Sequence, residues 1–397
     1  MKNVGLLISE MNGGGAERVV SHLSYILNDR YNIFVILYED TFMEYECAGT
    51  LINMNIPAKK GLLKKLGLLF RRAKKLKTIQ KQYNLDCIIS FMESPNMVNL
   101  LSKSKNCSKI ISVRNYTKSE NSNSGFGKLV NTAMAYLYNR ADKIISVSKV
   151  IAESLEQDYK LRRDKIEVIY NPYNITDIEN KMKKKDYEID VEKYIRDRIV
   201  FLSVGRFNYQ KGFWHLIKAF SLFHEKCPNS SLIMVGEDYT KGRAKQLVEE
   251  LHLEEFVCFT GRVKNPYKYM AISDVYVLSS LYEGFPNAMT EAMICGCAII
   301  ATDCKSGPRE ILFGTENNNY LKEEIVEADF GILVPTLEPE EEWDAQVITS
   351  GERTLSKAME NIYYSKELRN RMKKSAAKRG RLFTYDRCKE KYIKLIG

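Results

Sequence analysis

Short apolar runs of four to six residues alternate along this chain with longer stretches in which apolar side chains recur every three or four positions. Val4–Ile8 is the first such run, followed by a glycine loop, Asn12-Gly13-Gly14-Gly15, and a helical pattern over Ala16–Leu27. Ile33–Tyr38, Cys87–Phe91, Ile110–Val113, Lys143–Val147 and Ile166–Tyr170 continue the series. Asn171-Pro172 breaks it, and a charged stretch, Lys181–Arg198, follows. A second series then opens with Ile199–Val204, Ser231–Val235, Val257–Thr260, Val275–Leu278, Ala298–Ala301 and Gly331–Val334. Buried strands separated by helical patterns predict βαβ units and mostly parallel sheets. The expectation is an α/β chain with two doubly wound domains facing across a cleft. The first spans 1–175, a linker 176–198, and the second 199–381. The helical pattern over 382–397 is expected to pack back on the first domain. Ligands of such sheets bind beyond the carboxyl ends of the strands.

With 397 residues, 45% of them hydrophobic and 28% charged, the chain has the composition of an ordinary globular protein of two domains. No apolar stretch reaches the 18 or more residues of a membrane-spanning helix. The first apolar run stops at Ser9-Glu10, too early for a secretory signal, so a cytoplasmic protein is expected. Nine cysteines lie scattered, mostly in apolar runs, which fits reduced core thiols. Cys295, Cys297 and Cys304 have no histidine near them, and His22, His215, His224 and His252 show no ligand spacing, so no metal site is expected.

The net charge of +10 is unevenly placed: residues 51–150 hold 19 basic against 4 acidic side chains. Such a field implies an anionic partner for the first half. Residues 59–81 carry ten Lys or Arg and no Asp or Glu. Leu62, Leu66, Leu69, Ala73 and Leu76 trace a helical apolar stripe there, widened by Leu63 and Phe70. One reading is a basic amphipathic helix lying in an anionic membrane interface. The other is a core-packed helix with a solvated cationic face. Nucleic acid is disfavoured, because the segment lacks interleaved aromatics for base stacking.

Two places at strand ends carry candidate chemistry. Glu283-Gly-Phe-Pro-Asn-Ala-Met-Thr-Glu291 follows Val275–Leu278 and opens into a helical pattern. A strand that turns through Gly/Pro into a helix presents free N–H groups and a positive dipole end, suited to an anion such as a diphosphate. The carboxylates of Glu283 and Glu291, about two helical turns apart, could hold a sugar and a ribose. Glu283 could equally be a carboxylate that merely favours the helix dipole. Arg206 and Lys211 follow the strand Ile199–Val204, where two cations could neutralise a leaving diphosphate. Such electrostatic help is often the largest catalytic term.

These elements, in this order, resemble the family-4 retaining glycosyltransferases of GT-B architecture, two Rossmann-like domains, of the bacterial polysaccharide-assembly type. The residues that carry the resemblance are Gly13–Arg18, Ser203–Arg206 with Lys211-Gly212, Val235-Gly236-Glu237, Phe259–Val263, Glu283–Glu291 and Gly307–Ile311. It implies that Arg206 and Lys211 grip the donor diphosphate, that Glu283 contacts donor-sugar hydroxyls and that Glu291 holds the ribose. Gly284, Phe285, Pro286 and Asn287 would cradle the sugar and distal phosphate. Arg262 and Val263 would wall the base pocket, and Gly14 and Gly15 would close on the phosphates. Many relatives place a histidine where this chain has Arg114-Asn115. An Arg stays protonated and is no general base. Arg114 and Asn115 therefore either orient donor or acceptor, or Arg114 anchors the Lys118–Ser124 loop.

The implied activity is metal-independent, cofactor-free transfer of a hexose or N-acetylhexosamine from a nucleotide diphosphate sugar, a UDP-sugar by family habit. Anomeric retention would follow from front-face displacement. The expected acceptor is an oligosaccharide or a lipid-linked saccharide at the inner face of the plasma membrane, with the protein peripheral there. Alternatives are a non-hydrolysing nucleotide-sugar epimerase, which would need His and carboxylate acid/base groups in place of the Glu283–Glu291 motif, or a catalytically silent glycan- or nucleic-acid-binding relative.

Overall fold

β-Branched and large apolar side chains build the strands. The computed structural model describes residues 1–39, 43–58, 62–102, 104, 106–115, 125–314 and 324–397, with side chains inside them except at 62–65 and 125–131. These residues form two units, Met1–Tyr173 with Thr384–Gly397, and Asn174–Phe383.

The first unit holds seven parallel strands: β1 (Asn3–Ile8), β2 (Asn32–Leu37), β3 (Thr50–Asn53), β4 (Cys87–Phe91), β5 (Ser108–Val113), β6 (Lys143–Ser146) and β7 (Ile166–Val168). Their order is β3-β2-β1-β4-β5-β6-β7, so the direction of winding reverses beside β1. Leu6 pairs with Val35 on one side and Ile89 on the other, which places the carboxyl ends together. One face is covered by α1 (Gly15–Leu27), whose Val19, Val20, Leu23 and Leu27 recur at helical spacing and are buried. Against α1 packs α15 (Tyr385–Ile396), whose Cys388, Tyr392 and Ile396, four apart, join the same core. The covering α15 is tied by Lys389 to Asp29 (2.5 Å) and by Lys391 Nζ to the Val168 carbonyl (2.7 Å). Tyr173 and Thr384 pair as an isolated bridge where the chain leaves and re-enters this unit.

The opposite face takes α2 (Leu62–Gln82). Its buried side is Leu68, Arg72, Ala73, Leu76, Ile79 and Gln80. The expected stripe therefore splits. Ala73 and Leu76 are core residues and Leu69 is half-buried, but Leu66 and Phe70 remain 48% and 64% exposed. Leu62 and Leu63, like the loop Lys118–Ser124, lie outside the described side chains. Arg72, expected among the solvated cations, is buried: its guanidinium stacks 3.7 Å from the Tyr38 ring centroid and donates twice to the Ile56 carbonyl, at 3.1 and 2.8 Å.

In the second unit β8 (Ile199–Val204), β9 (Ser230–Val235), β10 (Val257–Gly261), β11 (Val275–Leu278), β12 (Ala298–Thr302), β13 (Val326–Ala328) and β14 (Gly331–Val334) order as β10-β9-β8-β11-β12-β14-β13. All pairs are parallel except β13 with β14. Winding reverses here between β8 and β11. Phe201, Leu232, Val277 and Ile300 make the core under α8 (Phe213–His224) and α13 (Ser350–Tyr364). These two helices are joined by a fully buried pair, His215 Nδ1 to Glu352 Oε1 at 2.7 Å. Residues 176–198, expected as a linker, carry α6 (Ile175–Lys181) and α7 (Glu192–Ile195), and belong to this unit. The buried Lys268 holds the intervening stretch through Glu188 Oε2 (3.0 Å).

Candidate functional site

At the switch between β8 and β11 the second unit gathers its polar residues. After Val204 the chain passes Gly205 and the exposed Arg206, buries Phe207, makes one 3-10 turn over Tyr209–Lys211 and enters α8 through Gly212. Gly212 has φ +57, and a Cβ there would stand 2.5 Å from the Ser279 carbonyl oxygen, so only glycine lets the turn approach β11 this closely. Lys211 is thereby aimed along the end of β11, where its Nζ meets Glu283 Oε1 at 2.6 Å. Ser280 Oγ donates to the same oxygen at 2.7 Å. Glu283 is buried, and this pair of donors compensates a carboxylate withdrawn from water.

Beyond Glu283 the turn Gly284-Phe285-Pro286 leads into α11 (Asn287–Ile294). It has a backstop: the loop after β12. Ser306 Oγ donates to the Gly284 carbonyl at 2.8 Å, and Gly307, at φ +91, lies so near that a Cβ would be 2.5 Å from Pro286 Cδ. The backstop is itself clamped by the buried bidentate pair of Arg309 and Asp303 (Nε–Oδ1 2.9 Å). Phe285 is buried edge-on against Phe383, with ring centroids 5.4 Å apart. The first N–H groups of α11 have no side-chain cap from Pro286, which leaves a helix end suited to an anion.

Glu291, about one turn into α11, is buried and accepts a hydrogen bond from Tyr267 at 3.3 Å. Tyr276 lies beneath, fully buried; burial first, then the Glu283 and Glu291 charges, push its phenol well above the usual value. At the ends of β9 and β10, Arg262 and Glu237 pair loosely at 3.9 Å, Tyr239 donates to Glu237 at 2.9 Å, and Val263 is half-buried beside them. Lys211, Glu283 and the 284–287 turn thus meet directly. Arg206 follows β8, Arg262 and Val263 follow β10, and Glu291 lies on α11. Among the described residues no group of three or more His, Cys, Asp or Glu is placed to hold a metal ion.

The first unit carries the other expected residues. Gly14 and Gly15 begin α1, and the Glu17 carboxylate folds back over that start: a Cβ on Gly14 would touch Glu17 Oε2 at 2.2 Å. Arg114 is only 8% exposed, and its guanidinium donates to Asn171 Oδ1 and to Ser112 Oγ (3.4 Å). Burial pulls Arg114 below its ordinary pKa, against the opposing pull of Tyr392, Cys388, Tyr173 and Glu17. Asn115 is exposed.

Sequence reasoning missed Ser280, Ser306, Tyr267 and Tyr276. A signal existed for the first: Ser279-Ser280 stands between a fully apolar strand and the Glu283 turn.

Two family models divide the chain. One described as Glycosyltransferase Family 4 matches residues 13–177, and one described as Glycosyl transferases group 1 matches residues 185–329. An uncharacterized glycosyltransferase of Methanocaldococcus jannaschii is 31% identical over 81% of this chain and 81% of its own length. The N-acetylgalactosamine-N,N'-diacetylbacillosaminyl-diphospho-undecaprenol 4-alpha-N-acetylgalactosaminyltransferase of Campylobacter jejuni is 32% identical, over 81% of this chain and 86% of its own. Among solved structures, Anabaena Alr3699/HepE in complex with UDP-glucose superposes with a TM-score of 0.74 at 19% identity, covering 100% of this chain and 99% of that one.

Proposed function

Because this chain belongs to glycosyltransferase family 4 and has the GT-B fold, we propose that it transfers a hexose or N-acetylhexosamine from a UDP-sugar to a lipid-linked saccharide in surface polysaccharide assembly, with retention at the anomeric carbon. The observation that carries the reading is the junction of Lys211, Glu283 and the amino-terminal end of α11 at one strand end. The Campylobacter relative names a diphospho-undecaprenol-linked acceptor, and neighbours of the same fold hold UDP or UDP-glucose.

In the proposed step the bond from the anomeric carbon to the diphosphate oxygen breaks, and its electron pair stays on the phosphate. The acceptor hydroxyl bonds to the same face of the carbon, and its proton passes to the departing phosphate oxygen. Arg206, Lys211 and the N–H groups at 284–287 stabilise the charge that develops there. Glu283 accepts hydrogen bonds from donor-sugar hydroxyls, and Glu291 from the ribose. Arg262 and Val263 flank the base, and Gly14 and Gly15 contact the phosphates. The reaction needs no divalent ion in this scheme.

The acceptor class fits an association with anionic membrane at the cytoplasmic face. Leu66 and Phe70 are exposed on α2, four apart, in line with Lys74, Lys77 and Lys81. No helix among the described residues is long and apolar enough to cross a membrane, so contact would be interfacial.

The test is release of nucleoside diphosphate from a panel of UDP-, GDP- and ADP-sugars in EDTA, with a lipid-linked acceptor. Metal-free turnover of one donor, lost in Glu283→Gln while UDP affinity stays within about threefold, is expected. Turnover that survives in Glu283→Gln, or that requires a divalent ion, would overturn the assignment.

A further inference from the structure

We infer that Ser280 is a positioning residue: it selects which oxygen of Glu283 is presented to the donor sugar, and so sets the turnover of the site without taking part in nucleotide binding. This inference rests on the transferase reading above.

Both donors to Glu283 bond one oxygen, Oε1, from Lys211 at 2.6 Å and Ser280 at 2.7 Å. Oε2 accepts no hydrogen bond from the described residues. A carboxylate can accept about four hydrogen bonds, and here the internal ones are loaded on one side. The other oxygen is left as the acceptor for a hydroxyl. Lys211 alone could not enforce this division. A Lys ammonium is a point charge on a flexible stem and can serve either oxygen. A serine hydroxyl on a short, fully buried side chain has one place to point.

Ser280 is in turn held. Its carbonyl accepts from Thr302 Oγ1 at 2.6 Å, across from the end of β12. Its neighbour Ser279 donates to the Lys211 carbonyl at 2.8 Å. The two consecutive serines thus brace the carboxylate with one hydroxyl and the backbone of its cation with the other. Both are buried, at 0% and 1% exposure, although each hydroxyl would be as well served by water on a surface loop. A buried, fully satisfied network of this kind specifies one geometry.

The experiment measures turnover and Kd for UDP in the wild type, Ser280→Ala, Ser280→Thr, Glu283→Gln and the double variant Ser280→Ala/Glu283→Gln, with thermal midpoints alongside. Ser280→Ala is expected to lower kcat about 10- to 100-fold and to leave the Kd for UDP within about threefold. Ser280→Thr, which keeps the hydroxyl, regains most of the loss. In the double variant Ser280→Ala adds nothing to Glu283→Gln, because the two act through one carboxylate. A Ser280→Ala loss that multiplies with that of Glu283→Gln overturns the inference and leaves the transferase reading standing. So does a loss mirrored in UDP affinity and thermal midpoint, or unchanged turnover in Ser280→Ala. Full turnover in Glu283→Gln overturns both.

Discussion

Single atoms decide what Gly307 can be. At φ +91, with the Pro286 Cδ 2.5 Å from where a Cβ would stand, Gly307→Ala must push the 284–287 turn away from its backstop. The expected cost is about 1–3 kcal/mol in urea unfolding, accompanied by a raised KM for the donor. A KM like that of the wild type would mean that the turn relaxes without moving its N–H groups. Arg114 poses the opposite question, since it is buried and bonded to neutral oxygens of Asn171 and Ser112 beside Tyr392. Arg114→Ala is expected to lower stability by about 2–4 kcal/mol through lost packing and orphaned acceptors. Unchanged urea stability with abolished turnover would instead place Arg114 at the ligand. At this scale the legible residues were those with distinctive chemistry at strand ends, such as Lys211 and Glu283. Thr302 and Ser306 were not legible, because their importance lies in contacts between segments about 20 residues apart, which neither period nor composition encodes.

Helices and strands were legible where burial imposes a period. The apolar runs at β1 and β8 are continuous because both faces of a parallel sheet are covered. β3 and β13 escaped notice for the complementary reason: they are short edge strands, and β3 exposes Thr50 and Leu51. On α2 the apolar residues served two faces at once, and a single stripe drawn through all of them mixed the core face with Leu66 and Phe70. Replacing both by serine separates these faces. Leu66→Ser/Phe70→Ser is expected to leave the thermal midpoint within about 2 °C, because surface changes cost little. The same variant should sediment markedly less with anionic vesicles at low salt, and equal sedimentation would remove the apolar half of the proposed membrane contact. The start of α13 allows a pH prediction. Burial raises the Glu338 pKa, but hydrogen bonds from the Gly351 backbone, Thr349 and Ser350 outweigh it and hold the carboxyl below 4.5. A lowered carboxylate adds stability above its unfolded pKa and loses it as pH falls through the folded one. The stability gap between the wild type and Glu338→Gln should therefore be full at pH 7 and close as the pH falls below 4.5 and through the lowered folded value. A gap independent of pH would show that charge at Glu338 is irrelevant.

At the scale of the molecule, the first unit is discontinuous in the chain: everything from Asn174 to Phe383 intervenes before α15 is reached. The period of Cys388, Tyr392 and Ile396 made that helix visible in the sequence, but its destination against Val19, Val20 and Leu23 required the fold. A chain ended at Phe383 would leave this apolar face of α1 bare. It is expected to lose the first unit's calorimetric transition and keep that of the second; two intact transitions would show that α15 is dispensable.

The interruption has a consequence in time. A ribosome adding about 5–20 residues per second needs roughly 10–40 s to traverse the inserted unit. Through that interval the nascent amino-terminal sheet waits with one side of its core open, a stretch in which chaperone capture competes with closure. The unit whose synthesis begins first is the one completed last.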